Sequence, residues 1–167
     1  HWVYLTGNGL GGRTTHFQVT EVAYNLATYQ AYGACSAEPD NTNSYLSVPG
    51  QIPFSALDNS SKNVTLSSNA LEVSIAGDYE ISFSTTFNGD SNAHYTRGLE
   101  IYVNGASVYS MSAQQYRGPS MSGTFFHTLA VFDAVSLYWT RVAGSTNDQA
   151  KYAHLSVKLL TIAGEPG

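Results

Sequence analysis

Residues 71 to 87 alternate between apolar and polar side chains, and this alternation constrains the fold more than any other feature of the sequence. A period of two is typical of a β-strand with one buried face, because successive side chains of a strand point to opposite sides of its sheet. The run is too long for one ordinary strand. Gly77-Asp78 falls inside it, and both residue types favour turns. We therefore predict two strands, 71–75 and 79–87, joined by a tight turn.

The same alternation returns in four later segments, at residues 99–103, 125–131, 135–139 and 153–159. Asn104-Gly105 follows the first of them and is the strongest short signal for a β-hairpin. No segment of ten or more residues has the three- and four-residue spacing of a helix. Charged residues make up only 11% of the chain and aromatic residues 13%, which favours β-sheet over disorder. The sequence thus predicts an all-β domain of about eight to ten antiparallel strands, arranged as a sandwich or a barrel.

The length of 167 residues suggests one domain. Residues 1–21 are rich in glycine and threonine, so we expect an extended lead-in or the remnant of a stalk there. The head domain then occupies 22–167, with its first strand in 22–34. The single cysteine, Cys35, cannot form an intramolecular disulfide and is predicted to be a small buried side chain.

Charge and hydropathy argue against several functional classes. The formal net charge of −5 makes nucleic acid an unfavourable partner. No apolar run approaches the ~20 residues that span a bilayer, so we expect no membrane insertion. Carboxylates are few, and no pair lies in a motif that would assign a catalytic acid and base, so we do not expect an enzyme. We expect no cofactor and no metal: Asn88-x-Asp90-x-Asn92 begins like a calcium loop, but the twelfth position is Leu99, not glutamate.

Connections between the predicted strands alternate between long and short. The long ones are 88–96, 112–121 and 143–151, and the short ones are 104–105 and 132–134. Connections between successive antiparallel strands alternate between the two ends of a sandwich, so all three long loops should lie at one end. Their tyrosine, arginine, histidine and amide side chains are typical of a recognition surface, although ordinary solvated loops have a similar composition. The predicted ligand-binding residues are His94, Tyr95, Arg97, Tyr116, Arg117, Asn147 and Asp148.

The polar face of the predicted strands has few charges. Exposed sheet faces usually carry lysine and glutamate, so a face of small or apolar residues indicates a protein partner. The alternative is a second packed layer within one subunit. The residues predicted to form this interface are Ser82, Ser84, Phe126, Thr128, Ala130 and Ser156.

Six motifs between residues 45 and 160 point to one known family in combination. They are Ile52-Pro53-Phe54, Ala76-Gly77-Asp78-Tyr79-Glu80-Ile81-Ser82-Phe83, Ile101-Tyr102-Val103-Asn104-Gly105, Ser122-Gly123-Thr124, Phe132-Asp133-Ala134-Val135-Ser136-Leu137 and Leu155-Ser156-Val157-Lys158-Leu159. The sequence resembles the trimeric jelly-roll superfamily of tumour necrosis factor and the complement one-q globular heads, in particular the bacterial and phage versions that cap fibrous stalks. This resemblance implies a two-sheet jelly-roll sandwich, a homotrimer that uses the neutral face as its interface, and action by binding.

These observations together predict a receptor-binding head at the tip of a viral or bacterial surface fibre, located outside the cell or on the virion surface. The partner would be a host or environmental receptor, with a cell-surface glycan as the natural candidate because tyrosine rings stack on sugars. Two alternatives stay open. One is a structural cap that registers a trimeric stalk, and the other is a carbohydrate-binding module of a secreted enzyme.

Overall fold

The computed structural model describes residues 30–37, 48–88, 94–116, 120–143 and 149–162. These residues form ten β-strands, and no helix occurs among them. The strands are β1 (Tyr32–Ala37), β2 (Gly50–Gln51), β3 (Val64–Ser67), β4 (Ala70–Val73), β5 (Gly77–Asn88), β6 (His94–Val103), β7 (Ala106–Tyr116), β8 (Ser120–Leu129), β9 (Ala134–Ala143) and β10 (Gln149–Ile162). Within the same residues we find no helix long and apolar enough to cross a membrane.

The strands are divided between two antiparallel sheets, which confirms the predicted all-β sandwich. Sheet A has four strands in the order β1-β10-β5-β8. Sheet B has six strands, with five in the order β3-β4-β9-β6-β7 and the short β2 paired beside β9. Strands from the beginning and end of the chain are therefore neighbours, as β1 and β10 are.

The core lies between the sheets and is built from the apolar positions of the alternating segments. Phe83 of β5 and Leu137 of β9 are both buried, one in each sheet, as their place in the pattern predicts. The ring of Phe83 also meets Tyr109 of β7 edge to face, with centroids 5.7 Å apart, so it packs directly against sheet B. The fully buried side chains of the core include Leu71, Val73, Tyr79, Ile81, Leu99, Ile101, Val135, Trp139 and Leu155.

The predicted break at Gly77-Asp78 was wrong. Both residues belong to β5, and the strands separate at residues 74–76 instead. The two strands also lie in different sheets, so they do not form a hairpin. Gly77 serves close packing here: a side chain at this position would clash with the Thr161 carbonyl and the Leu159 side chain.

The first strand among the described residues overlaps the predicted one only in part. β1 spans Tyr32–Ala37, so only its start overlaps the predicted 22–34. Residues 22–29 lie outside the described residues, as does the predicted lead-in at 1–21.

Two short turns close one end of the sandwich, which we call the short-turn end. Asn104 and Gly105 join β6 to β7 with φ values of 51° and 80°, the left-handed pair that a two-residue hairpin requires. The turn at residues 130–133 joins β8 to β9. The two turns are connected, because the Asn104 side chain donates to Asp133 Oδ1 at 2.7 Å and accepts from the Ala134 amide at 3.0 Å.

Candidate functional site

The strand ends that flank the three long connections lie together at the other end of the sandwich, the long-loop end. In sheet A, Asn88 at the end of β5 pairs with Gln149 at the start of β10. In sheet B, His94 at the start of β6 pairs with Tyr116 at the end of β7. Residues 89–93, 117–119 and 144–148 of the connections themselves are outside the described residues.

The predicted ligand-binding residues divide into three groups. His94 and Tyr95 are the first residues of β6, and Tyr116 is the last residue of β7, so their backbones are neighbours across the sheet edge. Arg97 lies further along β6. The remaining three, Arg117, Asn147 and Asp148, fall outside the described residues.

Arg97 is not on a surface loop, and its predicted position was wrong. Its side chain is 0% exposed, and its guanidinium lies over the Phe87 ring, 4.9 Å from the centroid. Arg141, its register partner on β9, stacks in the same way over Trp139 at 5.5 Å. A planar guanidinium can be covered by aromatic rings, which makes arginine the cation most suited to such a position. The sequence does indicate this burial, because residue 97 is in phase with the buried odd-numbered positions 99, 101 and 103.

The outer face of sheet A carries five of the six predicted interface residues. Ser82, Ser84 and Ser156 are half-buried, while Thr128 is exposed and Phe126 has 67% of its surface exposed. The sixth, Ala130, lies in the turn after β8, where its amide donates to Asp133 Oδ2 at 2.8 Å. Its predicted place on the sheet face was therefore wrong, because the strand ends at Leu129.

A shallow hollow of about 330 Å³ lies in the middle of this face. Ser82 and Thr124 on its floor share a hydrogen bond of 2.8 Å between their hydroxyl groups. One of its lining residues, His154, was not predicted, although alternation along β10 puts it on the same face as Ser156. The full lining is Ser82, Phe83, Ser84, Ser122, Gly123, Thr124 and His154, which includes no lysine, arginine or carboxylate.

Asp78 lies at the short-turn end of the same face. Its carboxylate accepts hydrogen bonds from the hydroxyls of Thr128 and Thr161. These two bonds lower the pKa of Asp78 below its ordinary value, because they stabilise the charged form. Among the described residues, no group of three or more histidine, cysteine, aspartate or glutamate side chains could hold a metal ion.

Cys35 is fully buried in β1, as predicted. Its thiol contacts the Leu155 carbonyl oxygen at 3.7 Å. Burial, with a smaller contribution from the Asp58 charge, raises the pKa of the Cys35 thiol to about 12. The group is therefore protonated near neutral pH and is a packing element of the core.

Comparison of the sequence with protein-family models and with curated proteins gives no match to either. The two surfaces that bear on function are the outer face of sheet A, with its uncharged small residues around the hollow, and the long-loop end.

Proposed function

We propose that this chain is a homotrimeric jelly-roll head that binds a receptor at the tip of a viral or bacterial surface fibre. The strand orders β1-β10-β5-β8 and β3-β4-β9-β6-β7 support a jelly roll, because strands distant in the chain alternate within each sheet. The proposed number of three subunits comes from the resemblance of the sequence to the trimeric family named above.

The observation that carries the trimer is the outer face of sheet A. Its centre is a hollow lined by small hydroxylated residues and His154, and the exposed Phe126 lies on the edge strand of the same sheet. Asp78, Glu80 and Lys158 also lie on this face, toward the short-turn end, but the hollow at its centre is lined by no lysine, arginine or carboxylate. Such a centre beside a large exposed apolar side chain favours contact with another protein surface. In a head-to-tail contact, each copy presents one surface to one neighbour and a different surface to the other. The hollow and the Phe126 side chain differ in shape, so we propose that they form such a contact between copies and that the contacts close into a ring.

Light scattering on the purified chain tests this association. At micromolar concentration we expect three times the chain mass of 18.0 kDa. Phe126→Glu should give a monomer, because the new charges would be buried in a desolvated interface. Ser67→Glu is the matched control, since Ser67 is exposed on β3 of the other sheet, opposite Ala70, and its variant should stay trimeric. A monomeric wild type, or a trimeric Phe126→Glu variant, would contradict the proposal.

The receptor site is proposed at the long-loop end. Strand register brings the backbones of His94 and Tyr116 together there, beside the connections that contain Arg117, Asn147 and Asp148. The start of β1 and the end of β10 lie at the opposite, short-turn end, since Tyr32 pairs with Lys158 and Ile162 pairs with Gly77. A binding surface at the long-loop end would therefore lie opposite the start of β1 and the end of β10.

A paired substitution tests which end binds. The double variant Tyr116→Ala/Arg117→Ala should lose binding to target cells while its trimer and its melting temperature stay unchanged. Phe132→Ala is the control at the short-turn end, where the side chain is 69% exposed, and it should bind normally. The opposite result would mean that the functional end is the short-turn end.

A structural cap is the second candidate, favoured by the sheet A face alone, since it requires a trimer interface and no ligand. It predicts that trimer-breaking Phe126→Glu impairs assembly of the fibre, while Tyr116→Ala/Arg117→Ala changes nothing in assembly or attachment. An attachment defect in the double variant would reject it.

A further inference from the structure

The outer face of sheet B carries a row of side chains with complementary chemistry. Tyr138 of β9 pairs with Gln51 of β2 on one side and with Glu100 of β6 on the other, and Glu100 pairs with Ser110 of β7. The alternate positions Ile101, Leu137 and Trp139 are fully buried, so this row points away from the core. An amide, an aromatic ring, a carboxylate and a hydroxyl thus follow one another across four strands, over about 14 Å at the usual strand spacing.

A second tyrosine extends the row into an aromatic platform. The ring of Tyr102 packs against that of Tyr138 with centroids 4.3 Å apart and planes tilted by 38°. The Tyr102 hydroxyl donates to Glu100 Oε2 at 2.8 Å, which fixes the orientation of the carboxylate beside the rings. All three side chains are partly exposed.

The side chains next to the platform are small, and the charged side chains described on this face are all negative. Gly98 and Thr140 lie on the next register pair along the same two strands, so no bulky side chain rises beside the platform there. Among the described residues on this outer face, the charged ones are Glu72 and Glu100, and none is lysine or arginine. An acidic ligand would therefore be repelled.

We propose that the row Gln51, Tyr138, Glu100 and Ser110, with Tyr102 as its support, is a binding site for an uncharged oligosaccharide. Tyrosine rings present apolar area to the C–H faces of a sugar, while the carboxylate and the Ser110 hydroxyl bind its hydroxyl groups. The Gln51 Nε2 already donates to the Ser68 and Asn69 carbonyls at 3.0 and 3.3 Å, so this side chain is held in place and offers its Oε1 as an acceptor. The spacing of the row suits about two adjacent sugar rings. The inference deepens the proposed adhesive function and rests on it for one point, namely that sheet B faces outward when the face of sheet A is covered.

The ring geometry distinguishes a sugar from an organic cation. Quaternary ammonium groups are typically enclosed by several aromatic rings that stand apart as the walls of a cage. Here the two rings stack on each other, with no gap between them to hold such a group. Each ring keeps its outer face for a ligand, and a single tyrosine face suits the C–H face of one sugar ring.

The test measures binding of the full chain to a panel of soluble oligosaccharides by titration calorimetry and on a printed array. The panel contains neutral glucose, galactose and N-acetylglucosamine oligomers, with galacturonate oligomers and tetramethylammonium as the acidic and cationic probes. We expect one or more neutral oligomers to bind and neither of the other probes to do so. Absence of binding by every neutral oligomer, or binding of tetramethylammonium in their place, would overturn the inference.

Variants then locate the site. Glu100→Gln keeps the shape of the side chain but weakens its hydrogen bonds to sugar hydroxyls, so affinity should fall about ten-fold. Tyr138→Ala should lose binding altogether, and Tyr138→Phe should retain most of it because the ring stays. Val142→Ser changes an exposed side chain elsewhere on β9 and should bind as the wild type does. If Glu100→Gln and Tyr138→Ala both bind with wild-type affinity, the proposed site is rejected. The tyrosine pair would then be only a cross-strand contact that stabilises the sheet.

Two further variants separate this inference from the proposed function. If Tyr116→Ala/Arg117→Ala alone removes oligosaccharide binding, the long-loop site stands and the sheet B site falls. If the monomeric Phe126→Glu variant still binds neutral oligomers at its sheet B face, with loss on adding Tyr138→Ala, the sheet B site stands without the trimer. Avidity on an array should then be lower than that of the trimer, while the affinity in solution for each site is unchanged.

Discussion

The two sheets share one core but present opposite kinds of outer surface. Sheet A presents small hydroxylated side chains around a hollow, with Phe126 exposed at its edge, and the centre of the face is uncharged. Sheet B presents a pair of stacked tyrosines oriented around a carboxylate. The charges of the first face, Asp78, Glu80 and Lys158, lie toward its short-turn end, whereas the second face holds its carboxylate beside the rings in a fixed arrangement. This difference is the basis for proposing another copy of the chain as the partner of one face and a soluble polar ligand for the other.

The largest expected loss of stability comes from truncating Phe83, a core side chain that contacts both sheets. Phe83 belongs to sheet A, but its ring packs against Tyr109 of sheet B and Phe125 of β8. Phe83→Ala should reduce the free energy of unfolding by about 3–5 kcal/mol, measured by denaturant titration, because it leaves a cavity between the sheets. Phe132→Ala, at an exposed aromatic side chain, should cost less than about 0.5 kcal/mol. A loss below about 1 kcal/mol for Phe83→Ala would show that the sheets do not depend on this contact.

The core of this sandwich could be predicted from the sequence because a period of two reports directly which side of a strand is buried. The segments at 135–139 and 153–159 became β9 and β10 with the expected residues inside. The period does not report which sheet a strand joins, so the separation of β4 from β5 at residues 74–76 was missed. Gly77 illustrates why: its role depends on Thr161, which is distant in the sequence.

The surfaces were less predictable than the core, for a related reason. A charged side chain is usually exposed, yet Arg97 is covered by the Phe87 ring, a partner that only the fold supplies. The platform of sheet B was not predicted, because Tyr102 and Tyr138 meet across two strands whose register the sequence does not state. The placement of Ser82, Ser84 and Ser156 on the outer face of sheet A was predictable, since it depends on the alternation alone.

The second prediction compares one glycine from each sheet. A Cβ atom at Gly123 of sheet A would lie 2.6 Å from Cζ of the buried Phe83 ring, whereas at Gly98 of sheet B it would clash with the Thr140 hydroxyl. Gly123→Ala should therefore cost about 1–3 kcal/mol of unfolding free energy, because the core must be overpacked.

Second substitutions test the cause of each effect. Phe83→Leu should reduce the cost of Gly123→Ala, and Thr140→Ala should reduce that of Gly98→Ala, as measured in double-mutant cycles. Exchanging the two second substitutions provides the control, since Gly123 and Thr140 lie on different sheets. Additive costs in both matched pairs would contradict the contacts described here.

The third prediction concerns the turn that joins the two sheets. Asp133 accepts one hydrogen bond from the Asn104 side chain and another from the Ala130 amide, so it connects the β8–β9 turn to the β6–β7 hairpin. Asp133→Ala should lower the unfolding free energy by about 1–2 kcal/mol. Asp133→Asn keeps one acceptor and should cost less. Equal costs for the two variants would indicate that the hydrogen bonds contribute nothing beyond the side chain's volume.

The last prediction compares two tyrosines, one from each sheet, whose hydroxyl pKa values are both raised but for different reasons. Burial raises the pKa of Tyr79 in sheet A to about 12. The pKa of Tyr102 in sheet B is raised mainly by the hydrogen bond from its hydroxyl to the Glu100 carboxylate. Glu100→Gln should therefore bring the pKa of Tyr102 back toward its ordinary value and leave that of Tyr79 unchanged, as read from the ultraviolet absorbance of the tyrosinate form.

The effect on stability follows from the raised pKa of Tyr79. The folded state holds this proton more tightly than the unfolded state, so its stabilising contribution is complete below pH 10 and is lost as the pH rises from about 10 to about 12. Tyr79→Phe removes the hydrogen bond from the hydroxyl to the Ile75 carbonyl, 2.7 Å long, and should cost about 1 kcal/mol at pH 8. The difference between the variant and the wild type should shrink toward pH 12, because only the wild type loses this contribution. A difference that is constant from pH 8 to pH 12 would show that the Tyr79 hydroxyl does not titrate differently in the folded and unfolded states.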